Sequence, residues 1–173
     1  MNNGAMTRPL TPDQLVELEL IKRCKYKYLR LVDQHRFTEL NEVMTDNCSA
    51  SYSDGKYSFD GLEAIIAFLE ESMSSNEFLS SHACHHPEID LTGTDSSGQQ
   101  TATGIWKLED QVIVGDYGVN LRGAAFYQDT YVKTVDGWKL SHTGYQRTFE
   151  EMWPQSGIDG LSLHANGFTG MRK

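Results

Sequence analysis

The spacing of apolar residues changes once along this chain, and the change limits what it can fold into. In the first half apolar side chains recur at steps of three and four; from residue 82 they alternate. The first spacing is one face of a helix and the second one face of a strand. Thr11-Pro12-Asp13 marks a helix start: a Thr cap, Pro at the first helical position, then an acid near the positive end of the dipole. Leu15, Leu18, Ile21, Cys24, Tyr28 and Leu31 follow as one stripe, so Tyr28 should face inward and Asp33 should sit where the stripe ends. A second short helix is expected over Thr38 to Met44, and a third in "GLEAIIAFLEESM", capped by Gly61 or Asp60. Between them "CSASYSDGKYSFDG" predicts a short strand, a turn at Asp54-Gly55 and an edge segment.

The alternating half supplies four strands: "HACHHPEIDLTG", "QQTATGIWKLEDQVIV", "RGAAFYQDTYVKT" and "GWKLSHTGYQRTF". Asp136-Gly137 is a strong hairpin turn between the last two. Helices first and consecutive antiparallel strands after them predict an α+β fold, with three N-terminal helices against a curved, mostly antiparallel sheet. Such a sheet, closed on one side by helices, encloses a cone-shaped cavity. One folded domain is expected over 11–150, with a flexible N-terminus at 1–10. The glycine-rich segment 151–173 is expected as a tail that could act as a lid or a dimer arm.

Charge and cysteine usage exclude some functions. The chain has 173 residues, 39% of them apolar, and a net charge of -9. A phosphate-binding surface needs clustered Lys and Arg, so nucleic acid and an anionic membrane surface are unsuitable partners. The one basic run, Lys22-Arg23-Lys25-Lys27-Arg30, has the spacing of a solvated helix face. Cys24, Cys48 and Cys84 form no short-range framework, and no apolar run reaches 18 residues. With no signal-like h-region at the start, a cytoplasmic protein with free thiols is the simplest expectation.

Polar side chains that point into a cavity are costly unless they pair or do chemistry. Tyr28, Asp33, His82 and Arg147 are the candidate catalytic set. Tyr52, His142, Tyr145 and Trp106 are candidate substrate contacts. Arg147 has the opposite strand parity to Trp138, Leu140 and His142, so it reaches the cavity only across a bulge, for which Gly144 is the obvious place. Without a bulge, His142 points inward instead. A metal reading of His82, Cys84 and His86 is disfavoured, because same-face neighbours on a strand stand about 7 Å apart. Cys84 has the character of a small buried hydrophobe. No metal and no other cofactor is expected.

These residues also carry a resemblance. "Y-L-R-L-V-D" from Tyr28 to Asp33, "FDGLEAIIAF", "HACHHPEI" from His82, "GAAFYQDTY" from Gly123 and "DGWKLSH" from Asp136 together resemble the SnoaL-like, scytalone dehydratase-like branch of the nuclear transport factor 2-like superfamily. The resemblance spans residues 12 to 150. It implies the cone-shaped fold and an Asp-His pair, in which His82 removes a proton and Asp33 orients it. Tyr28 matches a tyrosine of the bile-acid 7-alpha-dehydratase, where dehydrochlorinase relatives have a lysine. Arg147 matches an arginine on the last strand.

The implied activity is a cofactor-independent lyase, a dehydratase-like β-elimination on a small hydrophobic, cyclic molecule. An isomerase on the same scaffold is an alternative. So is a non-catalytic ligand-binding or interaction module, such as a structural oxygenase subunit. A homodimer or homotrimer is expected by analogy.

Overall fold

The computed structural model describes residues 9–170. Helix α1 (Pro12–Asp33) starts at Thr11 as the sequence indicates. The Thr11 hydroxyl accepts from the Gln14 backbone N–H, and the Gln14 side chain accepts from that of Thr11. This reciprocal capping box satisfies two otherwise orphaned donors. The buried stripe begins only at Ile21; Leu15 is exposed, and before Ile21 the helix is tied to the sheet through Glu17, which accepts from Lys133 and Trp138.

The sheet has six strands: β1 (Met44–Tyr52), β2 (Tyr57–Asp60), β3 (Phe78–Thr94), β4 (Gln100–Val114), β5 (Val119–Thr134) and β6 (Gly137–Pro154). Their spatial order is β2-β1-β6-β5-β4-β3. Among the described residues only β1 and β6 pair in parallel; every other neighbour is antiparallel. The sheet is curved, and the core lies between its inner face and the helices. Helix α2 (Leu62–Met73) turns Leu62, Ile65 and Leu69 inward and starts at Gly61 without a side-chain cap.

Two elements depart from the sequence expectation. The second helix is a short 3-10 segment, Phe37–Glu42. Its two buried residues, Phe37 and Leu40, are three apart, the spacing that a 3-10 turn places on one side. The last strand continues to Pro154, past the expected boundary at 150. Beyond it the chain returns to the body: the Asn166 side-chain amide donates to the Asn76 carbonyl, and the Phe168 ring stacks on His35 at 4.1 Å. The expected flexibility of the N-terminus falls largely on 1–8, outside the described residues, as do positions 171–173 of the tail. No helix among the described residues is long and apolar enough to cross a membrane.

Candidate functional site

A cavity of about 530 Å³ opens between α1, α2 and the inner face of the sheet. Its wall is mostly apolar and aromatic, with polar groups converging from α1, β1, β3, β4 and β6. That composition is typical of a small-molecule site. A second groove of about 520 Å³ lies on the outer face, beside Ser81, Lys107 and Gln111. It lacks the tyrosines and His82, so the inner cavity is the chemical candidate.

Asp33 is the last residue of α1 and stands against β3. A carboxylate at the negative end of a helix is electrostatically unfavourable. Here it is offset by three hydrogen bonds. Asp33 Oδ1 accepts from the Ser80 hydroxyl at 2.8 Å, and Oδ2 accepts from the His82 backbone N–H at 3.0 Å. His82 Nδ1 lies 2.6 Å from Asp33 Oδ1. The carboxylate can only accept, so Nδ1 carries the proton, and neutral His82 keeps its lone pair on Nε2. His82 itself lines the cavity, while Asp33 sits behind it, in a separate pocket that both residues line. Such an arrangement leaves Nε2 able to accept a proton.

Also lining the cavity, Tyr28 from α1 and Tyr52 from β1 share a hydrogen bond of 2.9 Å between their hydroxyls. Burial raises both phenols well above their ordinary titration range, so both remain neutral; one O–H is donated within the pair and the other is free. Tyr145 extends this aromatic wall. Its ring centroid is 5.9 Å from that of Tyr52 and 5.4 Å from that of Tyr127, and its hydroxyl contacts Ser53 Oγ at 3.1 Å.

Arg147 reaches the cavity because β6 bulges, but at Ser141 rather than Gly144. Thr130 pairs with His142 and Tyr131 with Leu140, which leaves Ser141 unmatched. After that extra residue Thr143, Tyr145 and Arg147 point inward, and His142 points out. His142 Nδ1 lies 2.7 Å from Ser49 Oγ on the outer face, so it does not line the cavity. Gly144 has a different role: a Cβ there would lie 2.6 Å from the Ser51 carbonyl oxygen, so glycine permits the close β1–β6 approach. Trp106 faces inward but lies outside the cavity wall. It is fully buried, and its indole N–H donates to the Tyr131 hydroxyl at 3.1 Å. It is a core residue.

A bulge also explains the histidine cluster. His86 has φ of 49°, and the register between His85 and Glu88 slips by one residue opposite β4. His82 and Cys84 keep the inward face, while His85 and His86 are exposed. Burial pushes the Cys84 thiol up to about 11, so it is protonated at neutral pH.

Three charged residues escaped the sequence reading. Asp110 follows Trp106 and Leu108 on the inward face of β4 and pairs in register with His82. It binds Arg147 in a fork, Nη1 to Oδ1 at 2.7 Å and Nη2 to Oδ2 at 2.9 Å. Burial would lower the Arg147 pKa, but the bonds and charge of Asp110 outweigh it and raise it. Lys25, read as part of a solvated face, is fully buried. Its Nζ pairs with Asp129 at 2.8 Å and lies 3.3 Å from the centre of the Tyr127 ring. Asp129 also accepts from the Thr143 and Tyr131 hydroxyls, which closes a buried network beneath the cavity.

A family model, the SnoaL-like domain, matches residues 13–144. The chain belongs to this family. The SnoaL-like fold is also evident in solved structures. A candidate scytalone dehydratase from Novosphingobium aromaticivorans superposes with a TM-score of 0.71 at 21% identity, over 82% of this chain and 91% of that one. The hexachlorocyclohexane dehydrochlorinase of Novosphingobium barchaimii gives 0.70 at 16% identity, over 87% and 98%. A nuclear transport factor 2-like protein with a cystatin-like fold, also from Novosphingobium aromaticivorans, gives 0.62 at 17%, over 87% of each. At these identities the likeness establishes the fold, and this SnoaL-like chain is one more variation on the nuclear transport factor 2-like cone.

Proposed function

We propose that the chain is a cofactor-independent lyase that eliminates water, or a similar leaving group, from a small hydrophobic cyclic molecule. The observation that carries this reading is the direct contact between Asp33 Oδ1 and His82 Nδ1. β-Elimination needs a base of near-neutral pKa, which an imidazole supplies. It also needs a group that fixes the imidazole's tautomer and stabilises imidazolium, as the orienting acid of a hydrolase triad does.

In this scheme His82 Nε2 takes a proton from a carbon next to an activating carbonyl, and the electron pair moves into the developing enolate. Collapse of the enolate forms the carbon–carbon double bond and expels the β-hydroxyl, which takes the proton back from the His82 imidazolium and leaves as water, so that His82 returns to its neutral state. Of Tyr28 and Tyr52, both held neutral by burial, the one that accepts in their mutual bond keeps its O–H free to donate to the enolate or the departing oxygen. Arg147 lines the same wall, with its guanidinium held by Asp110. The dehydrochlorinase among the structural neighbours is by name an eliminating enzyme, and the candidate dehydratase is named for the same class of reaction, which supports the reading.

An isomerase would use the same base and differ only in whether a leaving group stands β to the abstracted proton. A non-catalytic module has little use for an acid bonded to a cavity histidine, so the contact favours an enzyme. Assembly as a homodimer or homotrimer is proposed with it, and light scattering on the purified protein tests that. The function is tested by following cyclic β-hydroxy ketones for the absorbance of the conjugated enone. Wild type should convert a member of the panel, and His82→Ala should lose about 10²–10⁴-fold of that rate. Full turnover in both His82→Ala and Asp33→Asn would rule the mechanism out.

A further inference from the structure

We propose that Asp110 sets the cavity's charge preference: by occupying Arg147 it selects uncharged ring compounds and rejects their carboxylate counterparts. The inference rests on the cavity being the substrate site, and it narrows the class of molecule that site takes.

An arginine on a cavity wall ordinarily invites a carboxylate, because its planar fork matches two oxygens. In this protein the fork is already filled. Both terminal nitrogens of Arg147 bond the two oxygens of Asp110. On its other side Arg147 Nε lies 3.1 Å from Glu150 Oε2. One guanidinium is thus flanked by two carboxylates. The Asp110 side chain is only 3% exposed and that of Arg147 14%, so solvent screens the pair weakly.

The rest of the wall does not reverse this balance. Lys56 is the other cation on the lining, and it is exposed at the rim. Asp33 adds a third carboxylate behind His82. An incoming anion would therefore meet a lining whose two cations, Arg147 and Lys56, are matched by two carboxylates, Asp110 and Glu150, with Asp33 behind it. It would gain the Arg147 fork only by displacing Asp110, and a displaced, buried Asp110 would be left without its partner at considerable cost. An uncharged ring needs no such exchange and gains the apolar and aromatic wall of Tyr28, Tyr52, Phe68 and Tyr145.

The backbone is shaped for the pair as well. Gly123 on β5 lies opposite Asp110, and a Cβ there would come within 2.6 Å of Arg147 Nη1 and 3.1 Å of Asp110 Oδ1. The space for the fork exists because residue 123 has no side chain.

The test uses a probe pair that shares one ring system and differs in charge, 2-naphthol and 2-naphthoate, with dissociation constants measured by titration calorimetry at neutral pH. Wild type should bind the naphthol at least about tenfold more tightly than the naphthoate, a gap of ~1.4 kcal/mol. Asp110→Asn frees the guanidinium and should shift that ratio at least about tenfold toward the naphthoate. Circular dichroism confirms that the variant is folded, and the wild-type comparison needs no variant at all. Equal or tighter binding of the naphthoate by wild type would overturn the proposal. So would an unmoved ratio in folded Asp110→Asn, or the failure of wild type to bind either probe. Binding is read without turnover, so a failed lyase assay and a failed charge preference are separate outcomes.

Discussion

Asp33 Oδ1 lies 2.6 Å from His82 Nδ1, although the two residues are 49 positions apart in the chain. The contact joins the end of the longest helix to the third strand. Ser80 and the His82 backbone N–H bind the same carboxylate, so the acid is held by β3 whether or not the imidazole is charged.

Replacing Asp33 by Asn tests what that acid does to the imidazole. The amide can donate to Nδ1, which favours the tautomer with its proton on Nε2 and removes the base from the cavity. We expect nitrogen NMR of His82 to show that change, together with at least an ~10²-fold loss of proton-abstraction rate. An unchanged tautomer would show that the acid is not what fixes the ring.

Gly123 makes room for the Arg147–Asp110 fork. Gly123→Ala places a methyl 2.6 Å from Arg147 Nη1 and 3.0 Å from the Phe149 carbonyl oxygen. Relief requires the guanidinium or the β5–β6 ladder to move, at a cost of about 1–3 kcal/mol. Urea unfolding measures it, and a variant as stable as wild type would mean that the pair relaxes freely.

The Lys25–Asp129 pair lies at the base of the cavity, with both side chains fully buried. Lys25→Met leaves Asp129 buried without its cation and should cost about 3–5 kcal/mol. In Lys25→Met combined with Asp129→Asn the stranded charge is gone, so the double variant should be more stable than the single one. Additive losses in a double-mutant cycle would mean that the two residues contribute independently.

Alkaline pH should weaken the fold. Burial is the largest cause of the raised thiol values, about 12 for Cys24 and about 11 for both Cys48 and Cys84, against an ordinary 9.0. A raised folded value favours the protonated native state. That contribution is complete below pH 9.0, where the unfolded thiols begin to ionise, and is lost as pH rises through the folded values. The urea midpoint should fall once pH climbs beyond 9.0, and a midpoint that rises there would contradict the assignment.

Much of this site was legible from local chemistry. Thr11-Pro12 announces α1, and the helical stripe carries Tyr28 inward. The parity of β3 brings His82 to the inner face. What escaped depends on register or on partners far along the chain. Lys25 shares the stripe of Ile21 and Tyr28, but a lysine in a basic run gives no local sign of the aspartate, 104 positions later, that allows its burial. Asp110 did leave a signal, since it continues the alternation of Trp106 and Leu108, but its reason for being buried is Arg147 on another strand. The choice between His142 and Arg147 turned on where one extra residue enters β6. Either Ser141 or Gly144 could have accommodated it, and the pairing with β5 decides for Ser141.

The central claim is that His82 is a base directed into an apolar cavity, and 5-nitrobenzisoxazole tests it most directly. This uncharged aryl probe opens its ring when a base removes one proton, so it reports the base without knowledge of the natural substrate. Wild type should accelerate the opening with saturation, and His82→Ala should lower the rate by about 10²-fold or more. A folded His82→Ala variant that opens the probe as fast as wild type would contradict the account.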